Sequence, residues 1–147
     1  MRFLIDTCVI SELIKPAPNP NLLSWMDSRN EETLFLSAIT IGEIQKGIST
    51  LPDSTKRKRL QDWLDRELME RFDKKIIAFD LKVAQKWGEI QAAAALTGKK
   101  MPVIDGMIAS IGLVHEMTVV TRNMDDMLAS GVSLHNPWDE QTVSRCF

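Results

Sequence analysis

The sequence predicts an α/β domain of three layers, with helices on both faces of a mainly parallel sheet of four to five strands. Three observations predict it: short apolar runs that stop abruptly at polar residues, amphipathic helical segments between them, and the alternation of the two along the chain. The first run, Phe3-Leu4-Ile5, ends in Asp6-Thr7, the form of a buried strand that feeds a turn and then a helix. Pro16, Pro18 and Pro20 mark a loop, and Leu22, Leu23, Trp25 and Met26 place a short helix over Asn21 to Ser28. Leu34-Phe35-Leu36 is the second strand. Ile41, Ile44 and Ile48 recur at helical spacing over Thr40 to Ser49, and Pro52 stops that helix. From Ser54 to Phe72, Leu60, Trp63, Leu64, Leu68 and Phe72 share one face of a long amphipathic helix that begins with Lys56-Arg57-Lys58-Arg59. Ile76-Ile77-Ala78-Phe79 gives a third strand, after which Asp80 caps a helix carrying Val83, Ala84, Trp87, Ile90 and Ala94 and ending near Gly98. Asp105 to His115 is a further helix, in which Ala109 and Gly112 are small enough for close approach to the sheet. Thr118-Val119-Val120-Thr121 is the most β-branched strand, and Val132-Ser133-Leu134 adds one at the edge. No repeat or linker interrupts the pattern, so residues 1–147 read as one domain whose last residues, about 141–147, form a flexible tail.

The chain has 147 residues, 44% hydrophobic and 26% charged, which suits one ordinary globular core. Eighteen Lys and Arg against twenty Asp and Glu leave a net charge of −2, so a polyanion would have to meet a local basic patch rather than a general field. Cys8 and Cys146 stand far apart, and His115 and His135 are too few for an ordinary zinc site. Met1 to Asp6 reaches an acid after three apolar residues, and no stretch approaches 18 uninterrupted apolar residues. A signal peptide and a membrane span are therefore not expected, and a reducing cytoplasm is.

In a parallel sheet flanked by helices, the carboxyl ends of strands and the amino ends of helices share one edge, where ligands bind. Acids collect there. Asp6 ends the first strand, Glu43 lies in the first turn of the helix after the second, Asp105 begins the helix before the Thr118–Thr121 strand, and Asp125-Asp126 follow that strand. Carboxylates crowded in a cleft repel and raise one another's pKa, whereas a hard divalent cation reverses that penalty. Mg²⁺ or Mn²⁺ is the economical tenant, and such an ion suits phosphodiester hydrolysis because it activates water and offsets phosphoryl charge. Singly, each acid also fits a structural role. Thr40-x-x-Glu43 reads as a capping box, Asp105 as an N-cap, Asp6 as a turn residue, and Asp125 and Asp126 as solvated loop acids.

Leu4-Ile5-Asp6-Thr7-x-Val9-Ile10-Ser11-Glu12-Leu13, Leu36-Ser37-x-x-Thr40-x-Gly42-Glu43-Ile44, Asp105-x-Met107-Ile108-Ala109, Thr121-Arg122-Asn123-x-x-Asp126 and Asn136-Pro137-Trp138 follow one another in this order. Together they resemble the successive signatures of PIN-domain ribonucleases, most closely the VapC/FitB-type toxins of type II toxin–antitoxin modules. The resemblance implies a PIN-like fold and a small Mg²⁺- or Mn²⁺-dependent endoribonuclease. It further implies a homodimer silenced by a cognate VapB/FitA-like antitoxin, with an amino-terminal DNA-binding part and a tail that occupies the acidic cleft. Asp6, Glu43 and Asp105 match the family's first three acids. Many relatives place the fourth where this chain has Asn123, and the Thr-Arg-Asn subgroup places it at Asp126, which makes Asp126 the fourth acid, Asn123 a water or phosphate contact and Asp125 a neighbour. Cys8 stands where relatives commonly have Asn, and Met127 where they commonly have Phe. Thr7 and Thr121 are candidates to orient ligands or water, beside ordinary turn hydrogen bonding.

Arg122 is a candidate for backbone phosphate or an antitoxin carboxylate. The basic run at Lys56–Arg59, with Arg66 and Arg71, offers a phosphate-binding strip or simply a solvated helix start. Of Trp25, Trp63, Trp87 and Trp138, the second and third fall on apolar helical faces and read as core rather than base-stacking platforms. Gly42 to Gly47 has the glycine spacing of a phosphate loop but Ile48 in place of its lysine. The main reading is an RNA phosphodiesterase in which Asp6, Glu43, Asp105 and Asp126 hold the metal. Its alternatives are a nuclease acting on DNA and a catalytically silent partner-binding module.

Overall fold

The computed structural model describes residues 1–139; the tail expected over about 141–147, and Cys146 within it, lie outside the described residues. Strands β1 (Phe3–Ile5), β2 (Leu34–Ser37), β3 (Ile76–Ile77), β4 (Thr118–Val120) and β5 (Leu134–His135) form one sheet in the order β3-β2-β1-β4-β5. Every pairing is parallel, with Phe3 opposite both Leu34 and Thr118, and Ile5 opposite Val120. The all-parallel order fits strands buried on both faces, and alternation along β1 divides the core in two. Phe3 and Ile5 join Leu34, Leu36 and Val120 on one face, while Leu4 joins Val119, Ile108 and Ile111 on the other.

The first face is covered by α1 (Thr7–Leu13), α2 (Pro20–Asp27), α3 (Ala38–Ser49) and a long helical stretch from Thr55 to Arg71. That stretch is α4 (Thr55–Asp62), a π-helical segment (Trp63–Leu68) and α5 (Met69–Arg71), in place of the uniform helix expected from Ser54 to Phe72. A π turn widens the helix without changing which face is apolar, so Leu64, Leu68 and Phe72 are all buried as expected. The second face packs on α6 (Leu81–Leu96) and α7 (Val103–His115). The short α8 (Met124–Met127) follows β4.

The predicted strand at Val132–Leu134 shifts to Leu134–His135, because Val132 is buried against α7 rather than paired in the sheet. Close approach at Gly112 is confirmed: a Cβ there would lie 2.9 Å from a methyl of Val119, 2.9 Å from one of Val132, and 3.3 Å from the Met117 carbonyl oxygen. Neither valine methyl can rotate out of the way freely. Gly112→Ala is expected to lower stability by about 1–3 kcal/mol through overpacking, read as a lower denaturant midpoint with unchanged m value.

Candidate active site

The switch in strand order falls between β1 and β4, since the chain builds β2 and β3 on one side of β1 before returning to its other side. Ile5 and Val120 are register partners, so the next residues, Asp6 and Thr121, emerge side by side at the carboxyl edge. Asp6 is 3% exposed and serves as N-cap of α1: its Oδ1 accepts the Thr7 N–H at 2.8 Å. Its Oδ2 accepts the Thr121 hydroxyl at 2.7 Å, and Thr121 Oγ1 in turn accepts the Asn123 N–H at 2.9 Å. One buried threonine thus ties the end of β1 to the turn after β4. Cys8 Sγ lies 3.5 Å from both Asp6 Oδ2 and Thr121 Oγ1. Burial first, and then the charge of Asp6, push the Cys8 thiol up to about 11, so it is a protonated neighbour at neutral pH and not a nucleophile.

Glu43 is delivered by α3. The expected capping box is corrected here: Ser37, at the end of β2, caps the helix by accepting the Thr40 N–H at 3.0 Å. The helix therefore starts two residues earlier than Thr40, Glu43 falls in its second turn, and its side chain turns away from the cap. Glu43 Oε1 instead accepts the Thr7 hydroxyl at 2.6 Å. Asp105 is not an N-cap either. Pro102, with φ −55°, precedes the first turn of α7, and Asp105 sits inside that turn. Asp126 lies in the first turn of α8, exposed, its N–H bonded to the Asn123 carbonyl at 3.2 Å.

Three of the acids act on the fourth. Asp105 is pushed up to about 6, first by burial and then by the charges of Asp6, Asp126 and Glu43. A helix amino terminus favours an ionised carboxylate, so burial and like charge outweigh that dipole here. Asp125 is not among the charges that act on Asp105, which separates it from Asp126. Burial also raises Asp6, against three hydrogen bonds that lower it. No Lys or Arg acts on either, and none of the three ion pairs among the described residues involves the four acids.

Oxygen-only donors with an uncompensated buried carboxylate fit a hard divalent cation. The fit is one of donor chemistry: among the described residues no three acids already close on one point as ligands do.

Arg122 is exposed, its guanidinium over the Trp138 ring at 5.6 Å, and it lines a polar hollow of about 400 Å³ with Asn123, Met124, Asp125, Asp126 and Asn136. Trp25 and Trp138 are 3% and 9% exposed, which removes them as base-stacking platforms; Trp63 and Trp87 are half-buried. Arg71 is held by Glu31 through contacts of 2.7 and 3.1 Å, while Lys56, Lys58, Arg59 and Arg66 are exposed. Sequence reasoning missed the hydroxyls of Ser37 and Thr40 as neighbours of the site, although the Ser37-x-x-Thr40 spacing at a strand end was their signal.

The PIN domain family model matches residues 3–129. Toxin FitB of Neisseria gonorrhoeae is 36% identical over 137 residues, covering 93% of this chain and 99% of that protein. The VapC ribonuclease Y4jK of Sinorhizobium fredii is 35% identical, covering 92% and 97%. Among solved structures, FitAcB from Neisseria gonorrhoeae superposes with a TM-score of 0.89 at 36% identity, covering 93% of this chain and 99% of that one. VapBC2 from Rickettsia felis bound to a DNA fragment from its promoter gives a TM-score of 0.75 at 27% identity, covering 92% and 98%. With the sheet order, the family model, the relatives and the solved structures in agreement over nearly the whole chain, the protein belongs to the PIN-domain family, among its FitB- and VapC-type members.

Proposed function

We propose that this chain is a divalent-metal-dependent endoribonuclease toxin of a toxin–antitoxin pair. The observation that supports the reading is that the charges of Asp6, Glu43 and Asp126, from three other segments, all act on Asp105, while none of the ion pairs among the described residues involves these acids. Those four would hold Mg²⁺ or Mn²⁺, which when bound lowers the pKa of water and offsets charge on the scissile phosphate. The chain's own part is orientation. Thr121 fixes the buried carboxylate of Asp6, Thr7 fixes that of Glu43, and Arg122 with Asn123 offers donors to an RNA phosphate at the rim. RNA as substrate is supported by the ribonuclease naming of the relatives from Sinorhizobium fredii and from Mycobacterium tuberculosis.

A cognate antitoxin of the VapB/FitA type is the proposed partner, supported by relatives solved as FitAB and VapBC complexes. An apolar groove of about 190 Å³ is lined by Ile10 of α1 and Ile14 just after it, Ile44 of α3, Leu60 of α4 and Trp63, and reaches Thr7 and Glu43, so an occupant would cover Glu43. Val103 and Ile104 at the start of α7, with Leu81 and Leu96 at the ends of α6, are exposed and support a homodimer through that helical face. A cytoplasmic location goes with this reading; no helix among the described residues is long and apolar enough to cross a membrane.

The test is incubation of the purified chain with an RNA pool and with single-stranded DNA, in Mg²⁺, in Mn²⁺ and in EDTA. RNA cut only with the cation present, and DNA left intact, is the expected result. Cleavage that persists in EDTA, or no cleavage of any RNA by a chain that binds Mn²⁺, overturns the reading.

A further inference from the structure

Behind Glu43 runs a line of hydroxyls that the catalytic reading does not use. Ser37 and Thr40 are both fully buried, and Ser37 Oγ donates to Thr40 Oγ1 at 3.2 Å. Thr40 Oγ1 and Thr7 Oγ1 are 3.0 Å apart, and Thr7 Oγ1 donates to Glu43 Oε1 at 2.6 Å. A hydroxyl carries one proton and two lone pairs. Ser37 and Thr7 both donate to Thr40 Oγ1, and the single Thr7 proton is divided between Thr40 Oγ1 and the closer Glu43 Oε1. At the far end, Ser37 Oγ accepts the Thr40 N–H at 3.0 Å, which anchors the line to the helix backbone. The line joins the start of α3 to Glu43, with Thr40 Oγ1 accepting from both sides.

The cap on α3 needs only the oxygen of Ser37 and the backbone of Thr40. The Thr40 hydroxyl makes no bond to backbone; both its contacts belong to the line that ends on Glu43. A valine at this position would keep the shape and lose the line. We infer that Thr40 is a positioning residue: through Thr7 it orients the Glu43 carboxylate, one of the proposed ligands of the divalent cation. The inference rests on the proposed metal site.

Three variants of the full chain, Thr40→Val, Thr40→Ala and Thr40→Ser, decide the matter through Mn²⁺ dissociation constants from calorimetry, thermal melts and RNA cleavage as a function of Mn²⁺ concentration. Loss of a group that orients a ligand typically costs 10–100-fold in metal affinity. Thr40→Val and Thr40→Ala are expected to weaken Mn²⁺ binding about 10-fold and to shift the cleavage midpoint by the same factor, with most of the rate recovered at saturating Mn²⁺. Thr40→Ser is expected to bind within about 3-fold of the parent because it restores the hydroxyl. A folded Thr40→Val or Thr40→Ala that binds Mn²⁺ like the parent overturns the inference while leaving the metal site standing. If neither folds, the hydroxyl serves the fold itself and the inference is equally overturned. A parent chain that binds no Mn²⁺ overturns the metal site, and this inference with it.

Discussion

Asp6→Asn is expected to lower metal-dependent RNA cleavage by about 10³-fold, a loss of about 4 kcal/mol of transition-state stabilisation, without unfolding the chain. Asparagine caps a helix as well as aspartate does, so its Oδ1 can keep the Thr7 N–H. The new amide N–H₂ faces Thr121 Oγ1, which has a lone pair left after accepting the Asn123 N–H and can turn its own proton toward Cys8 Sγ. Every buried polar group therefore keeps a partner, and a buried charge is removed. The variant should melt no lower than the parent in EDTA while losing activity. A melt lowered by several degrees would show that Asp6 is there chiefly to fold the chain, and cleavage at the parent's rate would show that it has no part in the chemistry.

The second large effect is on stability and couples pH to the cation. Asp105, held up to about 6, and Asp6, also raised, bind protons more tightly in the folded chain than in the unfolded one. Below the unfolded value near 4 this contribution is fully present, and it is lost as pH rises through the folded value. In EDTA the contribution of Asp105 to stability should therefore fall between about pH 4 and pH 6, and that of Asp6 should fall in the same direction as pH rises. Asp105→Asn should remove part of that fall and raise the melting temperature of the metal-free chain at pH 7. Mn²⁺ at about a hundred times its dissociation constant adds about 2.7 kcal/mol, which for a chain of this size is about 8 °C. Thermal melts across pH, with EDTA or Mn²⁺, check each part. An Asp105→Asn variant that gains as much from Mn²⁺ as the parent would place the cation elsewhere.

Most of what positions the site was legible because burial and the carboxyl edge are both written locally. Phe3-Leu4-Ile5 has the form of a buried strand, which carries Asp6 directly after it to the sheet's rim. The small residue at Gly112 signalled the close helix–sheet approach in the same way. Helix starts were less legible. Ser37 and Thr40 are both good capping residues, and choosing between them requires knowing where β2 stops pairing, which depends on β1 and β3. Asp105 was displaced from its expected cap for a related reason: Pro102 presets the entry to α7 but offers no side-chain oxygen, so the cap pattern had to be read one turn too late. The π-helical segment at Trp63–Leu68 was not legible, since the four-residue steps of Leu60, Leu64, Leu68 and Phe72 suit either an α turn or a wider π turn. The hydroxyl line from Ser37 to Glu43 joins α1 to the β2–α3 junction, a contact that no local pattern encodes.

The shared-cation site is tested most directly by anomalous diffraction from crystals of the full chain grown with Mn²⁺. The expected result is manganese density at the carboxyl edge of β1 and β4, ligated by oxygens of Asp6 and Asp105 with Glu43 or Asp126 completing the shell, and lost in Asp6→Asn. Contradiction would be a cleft without manganese at a concentration that supports RNA cleavage, or a bound ion that touches none of these carboxylates.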